Sequence, residues 1–570
     1  MFFIYNNLVI MIKDFRKNCK KFYFSLGINL LFFIFFNLLF YSRYHTVDDV
    51  FMQMIVCGAF GKPDPHLVYT NVIPGFILTL FYSVSSKMPW YGLMHIGLSF
   101  ISLSVITYVF FNRNNTVLKN LILVLVFITS YEAYTKIQFT KTAAYLAVAG
   151  YVLVIYSLES ERRIIKQITS IILLWLSYSI RPSMFFGVSA ICLGFLLPRF
   201  VFYLINIKNK NERRNLKQLL LVGICSLLLV GTSFLVDRLS YSGERWSYYK
   251  RYDNARSQLY DVYFPSYDEF SDVYSAYGLS AEDRKLFDSG DMNDPDLFGL
   301  DTMYKIIALQ TNKVFDLDEF VMFALRGYNT LFRQKSLATF TAFALISLFF
   351  FVFGCKFDIK KWLALIISSL IALLLFIYTY YMHGWFDRTT ISVIFALTVS
   401  MLYIMNPIDN KTTKTISIVI LCISIIGSLA IWSEYFRWNR KDWHEELLRN
   451  QEDIAEVYDD HDHLYISRVS FPMWKLYYTS YDAIKKGTMT NYATYGDWMI
   501  NSPIYIDAMK EFGVINPYKD IVDNEKVYLI GFIDNLDPII KYIQRHYYSE
   551  AKAVLVKKIG EYEIYSIKSS

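Results

Sequence analysis

The stretch FYFSLGINLLFFIFFNLLFYSRYHTVDDVFMQM, residues 22–54, decides the class of fold. Its first part, from about Lys21 to Tyr41, is an apolar run of roughly 20 residues, the length a helix needs to cross a bilayer's hydrocarbon. Lys13, Arg16, Lys17, Lys20 and Lys21 precede the run, and no small-residue cleavage site follows it. It therefore reads as a retained first span rather than a signal peptide. The second part turns polar at once and carries two adjacent aspartates, Asp48 and Asp49.

Runs of the same kind recur along the chain at about 90–111, 116–131, 140–158, 164–180, 183–206, 217–236, 336–354, 360–381, 388–406 and 414–432. Of the 570 residues, 54% are hydrophobic, 18% aromatic and only 19% charged, with a mean hydropathy of +0.29. Ordinary soluble domains have about 25% charged residues, so a single soluble enzyme and a disordered chain are both excluded. The net charge of +7 is scattered over short loops rather than gathered on one face, which excludes nucleic acid as a partner. The six cysteines form no CxxC and no Cys/His cluster, so neither a zinc site nor a disulfide framework is read from them.

A further run, 71–86, is short and contains Pro74 and Gly75. The positive-inside rule decides whether it crosses. With the N-terminus cytoplasmic and 71–86 not crossing, every basic short loop falls inside: Arg113 and Lys119; Arg162, Arg163 and Lys166; Lys208 to Lys217; Lys356, Lys360 and Lys361; Lys411 and Lys414. If 71–86 crossed, the strongest basic loop would lie outside. The expected fold is thus an α-helical polytopic membrane protein of about 11 transmembrane helices, with 71–86 a re-entrant or interface-lying helix. Residues 1–236 form a seven-helix N-terminal module with an outer loop at 42–89. Residues 237–335 are a large extracytoplasmic loop, 336–432 hold four further spans, and 433–570 are a C-terminal extracytoplasmic α/β domain. In that tail Val527–Ile530 reads as a strand and Pro538–Tyr547 as a helix, and Ala553–Val556 with Glu561–Ile567 as a hairpin turning at Gly560.

Candidate chemistry gathers on the outer side. Thr46 can cap a helix whose first turn holds Asp48 and Asp49, and the helix dipole favours acids there. The same carboxylates, just outside the membrane beside apolar surface, suit a general base. Adjacent helical residues point about 100° apart, so only one of the two is expected to face a substrate. A divalent metal held by Asp48, Asp49, Asp64 and His66 is left open by a spacing that specifies none; no other cofactor is read. Arg181, in Ile180-Arg181-Pro182 at an outer helix end, goes against the usual charge bias. With Lys136, Lys141 and Arg388 it is expected to form a positive ring at headgroup level, suited to phosphate or to snorkelling. Tyr252, Asn254, Arg256 and Asp261 interleave rings with polar side chains, as sugar binding and interfacial helices both do. His66, and His383 and Trp385 in another outer turn, complete the acceptor- or sugar-binding candidates.

An Asp-Asp pair just past span one, a seven-helix first module and then a large outer loop resemble the GT-C superfamily of polytopic membrane glycosyltransferases. Val47-Asp48-Asp49 through Gly58, Ile73-Pro74-Gly75-Phe76 to Trp90-Tyr91-Gly92-Leu93, and Tyr252-Asp253-Asn254-Ala255-Arg256 with Asp261 are similar to its bacterial cell-envelope members. The resemblance covers roughly 20–430, not the tail. It implies transfer of a sugar from a polyprenyl-phosphate carrier to a cell-envelope polysaccharide, teichoic acid or other acceptor on the outer face, with inversion at the sugar. It also implies Asp48 or Asp49 as base, Arg181 and nearby lysines on the departing phosphate, and 71–86 beside the carrier's tail. A lipid-linked-sugar flippase, a polysaccharide polymerase or ligase, and a noncatalytic envelope assembly protein are the competing expectations. The first would want inverted repeats and mid-membrane charges, the second arginines on the large loop.

Overall fold

The structure is a computed structural model that describes residues 2–160, 163–310, 317–383, 386–468, 479–560 and 562–569. Helix α1 (Phe2–Leu39) leads through strand β1 (Arg43–Tyr44) into α2 (Val47–Cys57), which carries the aspartate pair, and then α3 (Val72–Val84). Helices α4 (Trp90–Phe111), α5 (Thr116–Thr135), α6 (Phe139–Leu158), α7 (Arg163–Ile180), α8 (Pro182–Ile205) and α9 (Lys210–Ser240) complete the first module, with β2 (Lys136–Ile137) between α5 and α6. The large loop holds α10 (Glu244–Ser257), α11 (Ser271–Ala276), α12 (Ala281–Asp288), α13 (Leu300–Ile307) and α14 (Leu317–Arg333). Helices α15 (Lys335–Gly354), α16 (Ile359–His383), α17 (Asp387–Ile404) and α18 (Lys411–Trp432) follow.

Among the described residues ten helices are long and apolar enough to cross a membrane: α1, α4, α5, α6, α8, α9, α15, α16, α17 and α18. Ile164–Ile180 of α7 is apolar over 17 residues, the short end of the range that spans a bilayer, and counting it gives the eleven expected. Helix α3 is apolar over only 13 residues. At 1.5 Å per residue it falls well short of about 30 Å. It lies against α2, α4, α7 and α9 and leaves Phe76, Ile77, Leu80, Phe81 and Val84 exposed along one side. Helices α6 and α17 are buried almost throughout, whereas α9, α16 and α18 expose leucines and isoleucines as lipid-facing helices do. This is a multi-pass membrane protein.

The tail adds α19 (Lys441–Asp459), α20 (Pro503–Glu511), α21 (Ile533–His546) and strands β3 (Leu464–Ser467), β4 (Tyr492–Thr494), β5 (Val527–Gly531), β6 (Lys552–Ile559) and β7 (Tyr562–Lys568). The sheet order is β4-β3-β5-β7-β6; β3 pairs parallel with β4 and β5, and β7 antiparallel with β5 and β6. The expected strand, helix and hairpin are present, the turn falling at Gly560 with a left-handed φ of 54°.

The large loop and the tail share one apolar core. Leu259, Phe287, Phe298 and Met303 from the loop pack with Leu464, Ile466, Leu529 and Ile539 from the tail. Buried acids of the loop are satisfied by the tail: Asp294 accepts from Tyr542 Oη at 2.7 Å and Asn516 Nδ2 at 2.9 Å, and Asp283 pairs with His546 at 2.8 Å and with Arg545. The loop's lack of an apolar run therefore reflects scattered core residues completed by a partner segment far along the chain. This joint body is stitched to the bundle through backbone bonds from Gly487 N to Gly58 O and from Met489 N to Ala59 O, and through Ser42 Oγ to Ser480 Oγ at 2.8 Å.

Gly92, at the start of α4, makes that docking close: a Cβ there would lie 2.1 Å from Ser480 O. Gly92→Ala is expected to cost about 1–3 kcal/mol by overpacking and to raise protease sensitivity of the tail. Gly97→Ala on the same helix, with nothing within 4 Å of its Cβ, serves as the neutral control. Thermal unfolding and limited proteolysis in detergent check both.

Candidate active site

Thr46 is extended with φ −131° and starts α2, and Gly58 ends it in the left-handed region. This places both aspartates in the first turn, where their roles diverge. Asp49 is fully buried and accepts three hydrogen bonds: from Thr46 Oγ1 at 3.0 Å, from Tyr91 Oη of α4 at 3.0 Å, and from the Phe139 amide that opens α6 at 3.1 Å. Burial, with Asp48 next to it, pushes the Asp49 carboxyl up to about 7. Asp48, one residue back and so about 100° around the helix, turns instead into a cavity of about 960 Å³.

Five parts of the chain supply the charged side chains of the cavity. The 43–51 segment gives Asp48, Arg43, His45 and Phe51. The α7–α8 junction gives Arg181, because Pro182 cannot continue α7 and forces its predecessor into an extended conformation, φ −152°, before α8 begins. Arg181 lies against the parallel rings of Tyr69 and Phe139, 5.2 Å from each centroid, and donates to Tyr69 O at 3.3 Å. The start of α17 gives Arg388, 4.6 Å over the Phe386 ring. Away from these groups the wall is more apolar, with Met184 and Gly187 of α8, Leu375 of α16 and Val393 of α17.

Helix α10 and the π-helical turn Gln258–Val262 after it are the fourth part and give a stripe at i, i+3, i+4, i+7 and i+8: Asp253, Arg256, Ser257, Tyr260 and Asp261. Arg256 donates to Asp253 through Nε at 3.1 Å and Nη2 at 2.8 Å, and Ser257 Oγ donates to Asp261 at 2.6 Å. The fifth part is the tail, where Tyr492, Thr494, Asp497 and Trp498 lie on and just beyond the carboxyl end of β4. Asp497 accepts from Thr494 Oγ1 at 2.7 Å, and burial lifts its carboxyl to about 6.

Asp48 feels this surrounding directly. Burial raises its carboxyl above the ordinary value, Arg388, Arg181 and the Trp498 indole counteract that, and Asp261 adds to it. Burial also holds the His45 imidazole well below its ordinary value, so that ring is neutral. The arrangement offers a carboxylate and two arginines in one partly apolar cavity, which suits proton abstraction beside a bound anion.

Of the residues singled out in the sequence, Asp48, Arg181, Arg388, Arg256 and Asp261 meet in the cavity and Asp49 stands directly behind it. The expected ring of four cations is not formed, because Lys136 and Lys141 are taken by a carboxylate of α5. Lys141 Nζ is 2.6 Å and Lys136 Nζ 3.4 Å from fully buried Glu132. His66 is likewise elsewhere: it bonds Asp64 at 2.7 Å and Ser240 Oγ at 2.9 Å, stacked on Trp246, and clamps the first loop to the end of α9. Tyr252 faces the loop–tail core and donates to Met292 O at 2.8 Å, while exposed Asn254 accepts from Gln258. The side chain of His383 and all of Trp385 lie outside the described residues. Missed by the sequence reading were Asp253, Ser257 and Tyr260, whose signal is the helical stripe opposite Tyr249, Tyr252, Ala255 and Leu259, and the four tail residues, which carry no local signal. Among the described residues no three His, Cys, Asp or Glu side chains come together as a metal would need, so the set Asp48, Asp49, Asp64 and His66 is not assembled.

No family model and no curated protein sequence matches the chain. Among solved structures it is similar to ArnT from Cupriavidus metallidurans bound to undecaprenyl phosphate, with a TM-score of 0.41 and 8% identity over 95% of this chain and 97% of that one. It is also similar to the Archaeoglobus fulgidus oligosaccharyltransferase in complex with Zn and sulfate, with a TM-score of 0.38 and 11% identity over 96% and 73%. The apo state of the same ArnT gives 0.35 and 9% over 95% and 97%. At such values the reading of the cavity rests on its own residues.

The division of labour within the aspartate pair predicts opposite responses. Asp49→Ala strands the Tyr91 hydroxyl and the Phe139 amide without a partner and is expected to cost about 1–3 kcal/mol for each group left unpaired. Asp48→Ala, which removes a charge the cavity holds at some cost, is expected to stay within about 0.5 kcal/mol of the parent. Thermal unfolding of the purified variants in detergent separates them.

Proposed function

We propose that the protein is a membrane glycosyltransferase of the GT-C type, moving a sugar from a polyprenyl-phosphate carrier to a hydroxyl of a cell-envelope glycan or other acceptor on the outer face of the membrane. The observation that carries this reading is that Asp48, Arg181 and Arg388 line one cavity, which Met184 and Gly187 of α8 and Leu375 of α16 also line. That apolar lining suits the first units of a lipid tail, and the arginines suit its phosphate.

In this reading Asp48 accepts the proton of the acceptor hydroxyl as its oxygen attacks the anomeric carbon. The carbon–oxygen bond to phosphate breaks, and the polyprenyl phosphate departs with its charge balanced by Arg181 and Arg388. Attack in line from the face opposite the phosphate inverts the anomeric carbon. In the same reading the polar stripe on α10 and the tail residues Thr494 and Asp497, which line the cavity, bond sugar hydroxyls. The cavity end of the bundle then faces outward, with the N-terminus and the basic short loops inside. No step is routed through a metal.

Asp48→Asn is expected to lower transfer by about 10²–10⁴-fold with insertion unchanged, and Arg181→Ala with Arg388→Ala to weaken retention of polyprenyl phosphate. Mass spectrometry of envelope glycans and lipids from cells carrying each variant reads the first; full activity of Asp48→Asn removes the base assignment. Because burial raises the Asp48 carboxyl and the base works ionised, the rate should rise with pH through a value above the ordinary carboxylate of about 3.9. A comparison of donor and product anomers by NMR tests inversion, and retention would refute the in-line geometry.

A further inference from the structure

Trp498 comes from the tail, yet it lines the same cavity as Asp48 of α2. It is 6% exposed, and three separate parts of the chain hold it in place. Its carbonyl accepts from Tyr249 Oη of α10 at 2.6 Å. Its ring meets Phe51 of α2 edge-on at 5.9 Å and Tyr69 at 5.0 Å. Before it, Asp497 is fixed by Thr494 Oγ1 and by the Met499 amide, so the turn that presents the indole is itself bonded. Despite this anchoring the indole Nε1 is buried with no hydrogen-bond partner. Buried N–H groups are almost always satisfied, and an orphan beside an active carboxylate calls for a reason. Hydrogen bonds of active sites are commonly long without substrate and close only in the complex.

We propose that Trp498 is a positioning residue for Asp48: its indole N–H holds the Asp48 carboxylate toward the acceptor when the cavity is occupied, so the C-terminal domain is part of the working site. This rests on the reading of Asp48 as the base. The indole N–H is a neutral donor on a rigid ring, so it orients one carboxylate oxygen without forming the ion pair that an arginine in its place would form. The charged groups that act on Asp48 from the surrounding elements are Arg388 on α17, Arg181 between α7 and α8, Asp261 beyond α10, and Asp49 on α2 itself. Arg43, His45, Asp253, Arg256 and, from the tail, Asp497 line the same cavity, and Trp498 adds a neutral donor from the tail. Loss of its N–H removes a donor from the ionised form, which raises the pH at which the base loses its proton.

The test compares wild type, Trp498→Phe and a variant carrying benzothienylalanine at 498, in which sulfur replaces the N–H within the same ring shape. Each is expressed in cells lacking the native gene, and the initial rate of glycan transfer is followed from pH 4.5 to 8 in native membrane vesicles containing their own donor and acceptor lipids. The acidic limb is expected to move up by about one pH unit in both variants, with a roughly tenfold lower rate on the plateau, while thermal unfolding matches wild type. A profile of either stable variant that superimposes on wild type overturns the proposal, as does a loss of rate with no shift of the limb. If Trp498→Phe unfolds, the benzothienyl variant alone decides. Asp48→Asn measured alongside separates the two claims. If it is inactive and Trp498→Phe behaves as wild type, only the role of Trp498 falls. If Asp48→Asn is itself fully active, the base assignment falls and the role of Trp498 with it.

Discussion

The three hydrogen bonds to Asp49 are the constraint on which the site depends. A carboxylate with no exposure to water has to be satisfied by the protein, and its donors come from the start of α2, from α4 and from the first amide of α6. Together they set the rotation of α2, and that rotation turns Asp48 into the cavity. The short parallel pairing of β1 with β2, Arg43 to Lys136 and Tyr44 to Ile137, brings the same two regions together from the other side. The Phe139 ring, one residue past the Gln138 cap of α6, then lies parallel to Tyr69 and gives the Arg181 guanidinium its surface. The acid and the cation are thus oriented through a single junction.

The charges at that junction are segregated by burial. Glu132 is fully buried and takes up both Lys136 and Lys141, so these cations serve the bundle, not the cavity. Arg256 is largely balanced by Asp253 next to it on the helix. Arg181 rests on ring faces and a backbone carbonyl, contacts that hold a guanidinium in place, and it forms no ion pair with a carboxylate among the described residues. Such a cation costs free energy to keep in a half-buried place, which is consistent with a site shaped for an anion that arrives from outside.

What the sequence discloses and what it hides follow from the range of the interactions. Hydropathy is a local property, so the spans are legible, and residues 71–86 stand apart from them because α3 is apolar over only 13 residues. Asp48, Arg181 and Arg388 stood out because charges at the edges of apolar runs demand a reason. Glu132 lies one residue past the apolar run 116–131, in the last turns of α5, and without it Lys136 and Lys141 look available. Of the candidates on and after α10, Arg256 and Asp261 turn to the cavity beside Asp253, Ser257 and Tyr260, whereas Tyr252 turns into the core and Asn254 is exposed. The contributions of Thr494, Asp497 and Trp498 depend on a contact between segments more than 400 positions apart in the chain, and a single sequence carries no trace of such a pairing. The shared core of the large loop and the tail is hidden for the same reason, since the loop has no apolar run and the tail reads as a domain of its own.

The seat of the anionic lipid head is decisive for the proposed reaction, and an experimental structure determined with polyprenyl phosphate bound tests it most directly. The phosphate is predicted to lie between Arg181 and Arg388, across the cavity from Asp48, with the first isoprene units along Met184, Gly187 and Leu375. A phosphate seated away from both arginines, or a lipid tail that does not enter between α8 and α16, would contradict it.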